Sequence, residues 1–224
     1  MGLAPIAVFA AMAATVTTQG VGILVTYGKY LVEFYLSLGV LWLVLFGAGV
    51  LFLGRNMFRL TSLIREPFLL GFSTASSEAA YPVTMAQLEK LPVSKMIISF
   101  VLPMGYSFNL DGSMMYCTFA VIFISQAYNI PLSIPQQVTM LLVLMLTSKG
   151  MAGVPRASLV VIAATLVTFN LPEAGLLLII GIDQFLDMGR TATNVIGNSL
   201  ATAVIGRWEG EAQHPVGPAE AQAA

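Results

Sequence analysis

Apolar side chains run almost without interruption from Leu31 to Leu53, LVEFYLSLGVLWLVLFGAGVLFL, longer than the roughly 20 residues that cross a hydrocarbon core. This pattern predicts one membrane-spanning helix, with a second helix ahead of it from Gly2 to about Val25. Beyond residue 66 the apolar runs shorten and are broken by glycine, proline, serine and charged residues. Lipid cannot satisfy the N–H and C=O groups of irregular backbone, so such backbone at membrane depth must be buried in protein or line a wet cavity.

The interruptions recur in the same order. A small, polar stretch (GFSTASSEAAYP, 71–82) precedes a broken helix (GYSFNLDGS, 105–113); a second small stretch (TSKGMAGVPRAS, 147–158) precedes a helix with a polar stripe (183–198). The separation is about 35 residues in both halves, a weak internal duplication. Paired interruptions of this kind point to a transporter's binding site. Each small stretch lies between apolar arms too short to span, which predicts two re-entrant hairpins; surface loops rich in the same residues are the alternative. The fold class that follows is an all-α membrane protein, a helical bundle with two re-entrant hairpins and a broken transmembrane helix.

Composition agrees. The chain is 57% hydrophobic and 9% charged, with a mean hydropathy of +0.85, more apolar surface than a soluble domain of this length can cover. A net charge of −1 without a basic run excludes a nucleic-acid groove. Cys117, the one cysteine, sits in MMYCTFAVIFI and reads as a small buried residue, and His214, the one histidine, lies in the polar tail, so zinc or triad chemistry has no second member. No cofactor is expected. Arg55, Arg59 and Arg65, with Lys90 and Lys95 beyond them, mark the 54–66 side as cytoplasmic, because 129–137 and 171–174 carry no Lys or Arg. The helix before it then runs outward and the C-terminus returns to the cytoplasm.

On the last helix Asp183, Asp187, Arg190, Thr191, Asn194 and Asn198 fall within a stripe about 100° wide. Charges at membrane depth cost about 2.5–3.5 kcal/mol each on insertion scales, so they should be paired or face a solute. Arg190 can hold a carboxylate through two parallel hydrogen bonds, and Asp187 can accept from an ammonium. Mutual neutralisation of Asp187 and Arg190 is the competing explanation. In the broken helix Asn109, Asp111 and Ser113 lie beside Gly105 and Gly112, after Pro103, an oxygen-only set suited to Na⁺ or a proton-linked substitute, with Asp111 the leading cation ligand. A plain Asp-Gly turn would produce the same letters.

Four motifs in this order, TASSEAAYP, NLDGS, KGMAGVP and DMGRTATNVIGN, give a chain that resembles the dicarboxylate/amino acid:cation symporter family, the glutamate transporters, from about Ala4 to Glu209. The resemblance implies a cell-membrane homotrimer, multi-pass, in which a transport core moves against a fixed scaffold by an elevator motion. It implies substrate contacts at Ser76, Ser77, Ser113, the backbone of Val154, Asp187, Arg190, Thr191 and Asn194. It implies cation ligands at Gly105, Ser107, Asn109, Asp111, Ser148, Asn194 and Asn198. The corresponding division of the chain is a scaffold-type helix at 1–28, a spanning helix with cytoplasmic linker at 29–66, the transport core at 67–209, and a disordered cytoplasmic tail at 210–224. Within the core lie a hairpin at 67–95, the broken helix at 96–129, a hairpin at 134–171 and the polar helix at 174–207.

Departures from the family pattern refine the expectation. Asn198 stands where sodium-driven amino-acid carriers have a carboxylate, which removes a charge from one sodium site and leaves H⁺ or Na⁺ open as coupling ion. Glu78 at the first tip resembles the proton-coupled bacterial branch, and Arg156 at the second tip could face it when both hairpins close, a pair whose protonation would gate transport. Asp187 favours glutamate or aspartate over a C4-dicarboxylate, which has no ammonium to bind. Family members carry about four further helices ahead of the position of Met1, so the chain is expected to be an N-terminally truncated portion. The function expected is secondary symport of an acidic amino acid, not an enzymatic reaction; C4-dicarboxylate symport, an anion channel and a non-transporting assembly fragment are the alternatives. An ATP-driven pump is excluded because GILVTYGKY (22–30) lacks phosphate-loop spacing and the Ser or Thr after Gly-Lys. An intramembrane aspartyl protease fails because nothing forces two of Asp111, Asp183 and Asp187 face to face.

Overall fold

A computed structural model describes residues 20–149 and 157–210, with scattered helical positions among residues 6–17. Val154, Arg156 and the tail from residue 211 lie outside the described residues. The elements are helical: α1 (Ile23–Leu53), α2 (Asn56–Thr74), α3 (Ser77–Leu88), α4 (Lys95–Phe108), α5 (Asp111–Ala127), α6 (Ile134–Thr147), α7 (Ala157–Thr168), a 3₁₀ turn (Glu173–Gly175), α8 (Leu176–Ile180) and α9 (Asp183–Trp208).

The first long helix starts earlier than the apolar run suggests. Gly20, at φ +80°, interrupts the chain, and from Ile23 no further breaker intervenes before Gly54 at φ +60°. Lys29 and Glu33, paired at 3.7 Å one turn apart, are tolerated on its surface. At about 1.5 Å per residue, α1 is about 46 Å long, more than a hydrocarbon core of about 30 Å requires. Tyr27, Tyr30, Phe34 and Leu38 bury one face, while Val25, Leu36, Leu43 and Leu51 stand exposed on others. That much bare apolar surface suits lipid and would be a liability in water. Residues Lys95–Ala127, across α4 and α5, form the other stretch long and apolar enough to cross a membrane among the described residues.

The end of the expected 29–66 segment, from Asn56 on, is the first part of α2, and α2 and α3 pack as one helical hairpin. Its tip is Ala75, in the left-handed region at φ 49°, followed by extended Ser76, whose hydroxyl accepts the N–H of Ala79 at 3.3 Å and caps α3. At the open end Arg59 donates to the carbonyl of Lys90 at 2.7 Å. A second helical pair, α6 and α7, begins with a capping box in which Gln136 receives the N–H of Ser133 at 2.9 Å; its tip lies outside the described residues.

The α9 helix runs through the middle, packed against α1 to α5 on several sides, and 18 of its 26 residues are buried. Two apolar clusters form around its ends. Tyr30, Phe34, Ile124, Leu144, Ile162 and Leu186 belong to one; Met57, Leu60, Leu88, Leu102, Leu200 and Val204 belong to the other. The residues of α9 between Leu186 and Leu200 are mostly polar or small, so a polar layer lies between two apolar ones. Arg207 closes the second end by donating to the carbonyl of Phe52 at 2.5 Å, which puts the end of α9 beside the end of α1.

Candidate functional site

The polar layer is built where α9 meets the gap between α4 and α5. Helical geometry lapses at Asn109 (φ −113°, ψ 71°) and Leu110 (φ −107°, ψ 59°), and α5 restarts at Asp111. Two glycines let the elements approach. A methyl group on Gly112 would fall on the carbonyl of Arg190, and one on Gly105 would meet the amide oxygen of Asn198 at 2.6 Å. The sequence therefore needs glycine at both positions for α9 to lie against the break.

Arg190 is buried to 5% exposure and is held from two directions. Its Nε and Nη2 both reach Asp187 Oδ1, and its Nη1 donates to Ser158 Oγ at 2.6 Å. Ser158 is the second residue of α7, so the second hairpin touches the guanidinium directly. This contact is legible in the sequence only as one more small polar residue in TSKGMAGVPRAS, and it is absent from the expected set. Asn194, one turn on, accepts the N–H of Gly112 through Oδ1 at 2.9 Å and donates through Nδ2 to Ser113 Oγ at 3.2 Å. Thr191 lies against Gly71 of the first hairpin, with its methyl at 3.3 Å from where a β-carbon would be. Parts of both hairpins, the break and α9 thus converge on one layer.

The expected stripe is not used as a single unit. Asp183 turns to Tyr116, whose hydroxyl donates to its Oδ1 at 2.6 Å, about one turn before Asp187 and about two before Arg190. Ser76 serves as the cap of α3, Ser77 is buried beside it, and Glu78 is exposed in the first turn of α3. Ser148 is buried and ends α6, where its hydroxyl donates to the carbonyl of Met145 at 3.3 Å. Val154 and Arg156 lie outside the described residues, as does any contact they make with Glu78.

A second group of polar atoms borders the break. Asn198 is 1% exposed and neither of its amide atoms has a hydrogen-bond partner; Thr191 Oγ1 and Ser199 Oγ are in the same position. Asp111 lies against Gly197, its carboxylate filling the space a methyl there would need, with the Asn109 amide beside it. Orphaned buried amides are costly, about 1–3 kcal/mol each, and a hard cation ligated by Asn198 Oδ1, Asp111 and carbonyls of the break would relieve that cost. The donor set therefore fits such an ion. Two cavities among the described residues lie elsewhere: one of about 330 Å³ is lined by Lys29, Tyr30, Glu33 and Phe119, and one of about 470 Å³ by Ser125, Gln126 and Asn129.

The chain is 49% identical over 212 residues to the proton/sodium-glutamate symport protein of Bacillus caldotenax, covering 94% of this chain and 50% of that protein. It is 45% identical over 210 residues to the protein of the same name from Bacillus subtilis, covering 94% and 49%. It is 48% identical over 210 residues to the C4-dicarboxylate transport protein of Burkholderia multivorans, covering 93% and 49%. The chain spans about half the length of the curated relatives it matches. The model of the sodium:dicarboxylate symporter family matches residues 1–208, and the chain belongs to that family of membrane transporters.

Proposed function

We propose that this chain forms the substrate-binding part of a symporter for an acidic amino acid, glutamate or aspartate, coupled to H⁺ or Na⁺. The observation that carries the reading is the buried Arg190, held between Asp187 and the Ser158 hydroxyl in a layer shared by both hairpins. A substrate carboxylate would take over the guanidinium face that Ser158 and Asp187 now occupy, since a planar fork binds such a group through two bonds. Asp187, released from Arg190, would accept from the substrate ammonium. Ser76, Ser77, Ser113, Thr191, Asn194 and the Val154 backbone would complete the pocket. The cation would bind among Gly105, Ser107, Asn109, Asp111, Ser148, Asn194 and Asn198, and neutralise the Asp111 carboxylate as the site closes.

The mechanism that goes with this reading is alternating access by an elevator movement in a homotrimer, with α4 and α5 as one broken transmembrane helix and the α2–α3 and α6–α7 pairs as re-entrant hairpins. The end of the molecule that gathers Arg55, Arg59, Lys90 and Arg207 would face the cytoplasm, and the C-terminus with it. Glu78 and Arg156 would pair across the two tips; Glu78→Gln should then alter the pH dependence of uptake, and an unchanged profile removes the pair from the mechanism. A C4-dicarboxylate substrate is the second reading, favoured by the 48% identity to a C4-dicarboxylate transport protein.

Uptake of labelled glutamate into proteoliposomes, under imposed Na⁺ or H⁺ gradients and with aspartate and succinate as competitors, tests the proposal. Saturable, gradient-dependent uptake inhibited best by aspartate supports it. Stronger inhibition by succinate transfers the assignment to dicarboxylates, and poorly saturating flux that persists without any gradient indicates an anion channel. Absence of flux from a folded protein leaves the assembly role.

A further inference from the structure

Lys149 stands just past the end of α6, and its side chain crosses to the break between α4 and α5. There its Nζ donates to the carbonyl of Phe108 at 2.5 Å. That carbonyl is free for a physical reason. In a continuous helix it would accept the N–H of Gly112, four residues on, but Gly112 gives its N–H to Asn194 Oδ1 instead. The Phe108 carbonyl also sits at the C-terminal end of α4, where the helix dipole favours a cation. Asp111, at the start of α5, is near enough to Lys149 to attract it electrostatically. A carbonyl stripped of its helical partner, a helix C-terminus and a carboxylate together make a place for a positive charge, and freed carbonyls of this kind ligate coupling ions in broken helices.

We propose that the Lys149 ammonium is a tethered cation, which fills this place and holds the second hairpin against the break without a soluble ion. The proposal rests on the symport reading for its meaning, because it makes one positive charge of the closed site part of the chain. It assigns Lys149 as a positioning residue that acts on the hairpin, not as a group that touches substrate. The Asn194 side chain then links two events. As long as it holds Gly112, the Phe108 carbonyl remains open to Lys149, so a rearrangement at Asn194 on substrate binding is felt at the end of α6.

The test compares the full-length protein, as its gene encodes it, with Lys149→Met and Lys149→Arg. Thermal unfolding in detergent is followed while NaCl replaces choline chloride at constant ionic strength, with no substrate present. In choline chloride, Lys149→Met should unfold about 3 °C below the parent, the shift expected from one charge-assisted hydrogen bond in a chain of this size. Na⁺ should restore most of the difference by entering the place the ammonium leaves, so Lys149→Met should gain more from Na⁺ than the parent and Lys149→Arg do. Equal Na⁺ responses in the parent and Lys149→Met overturn the proposal, as does a loss in Lys149→Met that Na⁺ does not repair while size-exclusion shows a folded protein. Because no substrate is added, the result stands apart from uptake: a parent that transports neither glutamate nor succinate defeats the symport reading and leaves this measurement readable.

Discussion

Asn194 takes the N–H that Gly112 would otherwise give to its own helix, at 2.9 Å, and so fixes the break in the α4–α5 pair to the polar layer of α9. The same amide donates to Ser113 at 3.2 Å, so one side chain satisfies the first turn of α5, where backbone donors have no helical partners. Asn194→Ala should leave a buried N–H and hydroxyl without partners and cost roughly 1–3 kcal/mol, read as a fall in Tm. Ser113→Ala, which removes only the weaker of the two bonds, should cost less than half as much. Equal effects in the two variants would show that the Gly112 contact carries no weight.

Selectivity should follow Asp187. It now shares Arg190 with Ser158, and the pair is buried at 3% and 5% exposure. With Asp187→Asn, the guanidinium loses the carboxylate that both its Nε and Nη2 reach, and a substrate ammonium loses its acceptor. Glutamate and aspartate affinity should fall by about 10- to 100-fold, as expected for a charge-assisted bond, while succinate affinity falls much less or rises. Competition against labelled substrate measures both. A uniform loss for all three acids would assign Asp187 to holding Arg190 alone.

How far this layer could be read from the letters is clearest at α9. The helical spacing of Asp187, Arg190, Thr191, Asn194 and Asn198 places them on one face, because a helix repeats every 3.6 residues whatever it packs against. The same rule fails for Asp183, which the spacing includes and Tyr116 takes away, since periodicity records direction and not the partner across the gap. NLDGS predicts a break but not its consequence, that the Phe108 carbonyl loses its donor to a side chain 82 residues further on and gains Lys149. The beginning of α1 at Ile23 is hidden for a different reason: Lys29 looks like the boundary of the apolar run, yet it pairs with Glu33 one turn on at the helix surface and leaves the helix intact.

Glycine contacts give a control for packing. A β-carbon at Gly112 would meet the Arg190 carbonyl, and one at Gly197 would meet the Asp111 carboxylate, whereas at Gly47 nothing lies within 4 Å. Gly112→Ala should destabilise by roughly 1–3 kcal/mol, the usual cost of overpacking, because backbone cannot move aside cheaply. Gly47→Ala should instead stabilise α1 by roughly 0.5–1 kcal/mol through lost chain entropy in the unfolded state. Thermal unfolding of the two variants side by side separates close approach from a general intolerance of alanine.

The Tyr116–Asp183 bond offers the opposite case, a charged residue in the polar helix whose work is structural. Both side chains are 1% exposed and meet at 2.6 Å, on the far side of Leu186 from the Arg190 cluster and beside the apolar cluster that contains Ile182 and Leu186. A buried carboxylate with a phenol donor is strongly held, so Tyr116→Phe should cost roughly 1.5–3 kcal/mol of stability. Asp183→Asn should keep a hydrogen bond, lose the charge assistance and cost less. The double variant should fall short of the sum, since the two residues share one interaction. Throughout, the ratio of glutamate to succinate affinity should remain that of the parent, because neither group reaches Arg190. A changed ratio in Tyr116→Phe would move Asp183 into the substrate site and restore the full stripe as one functional face.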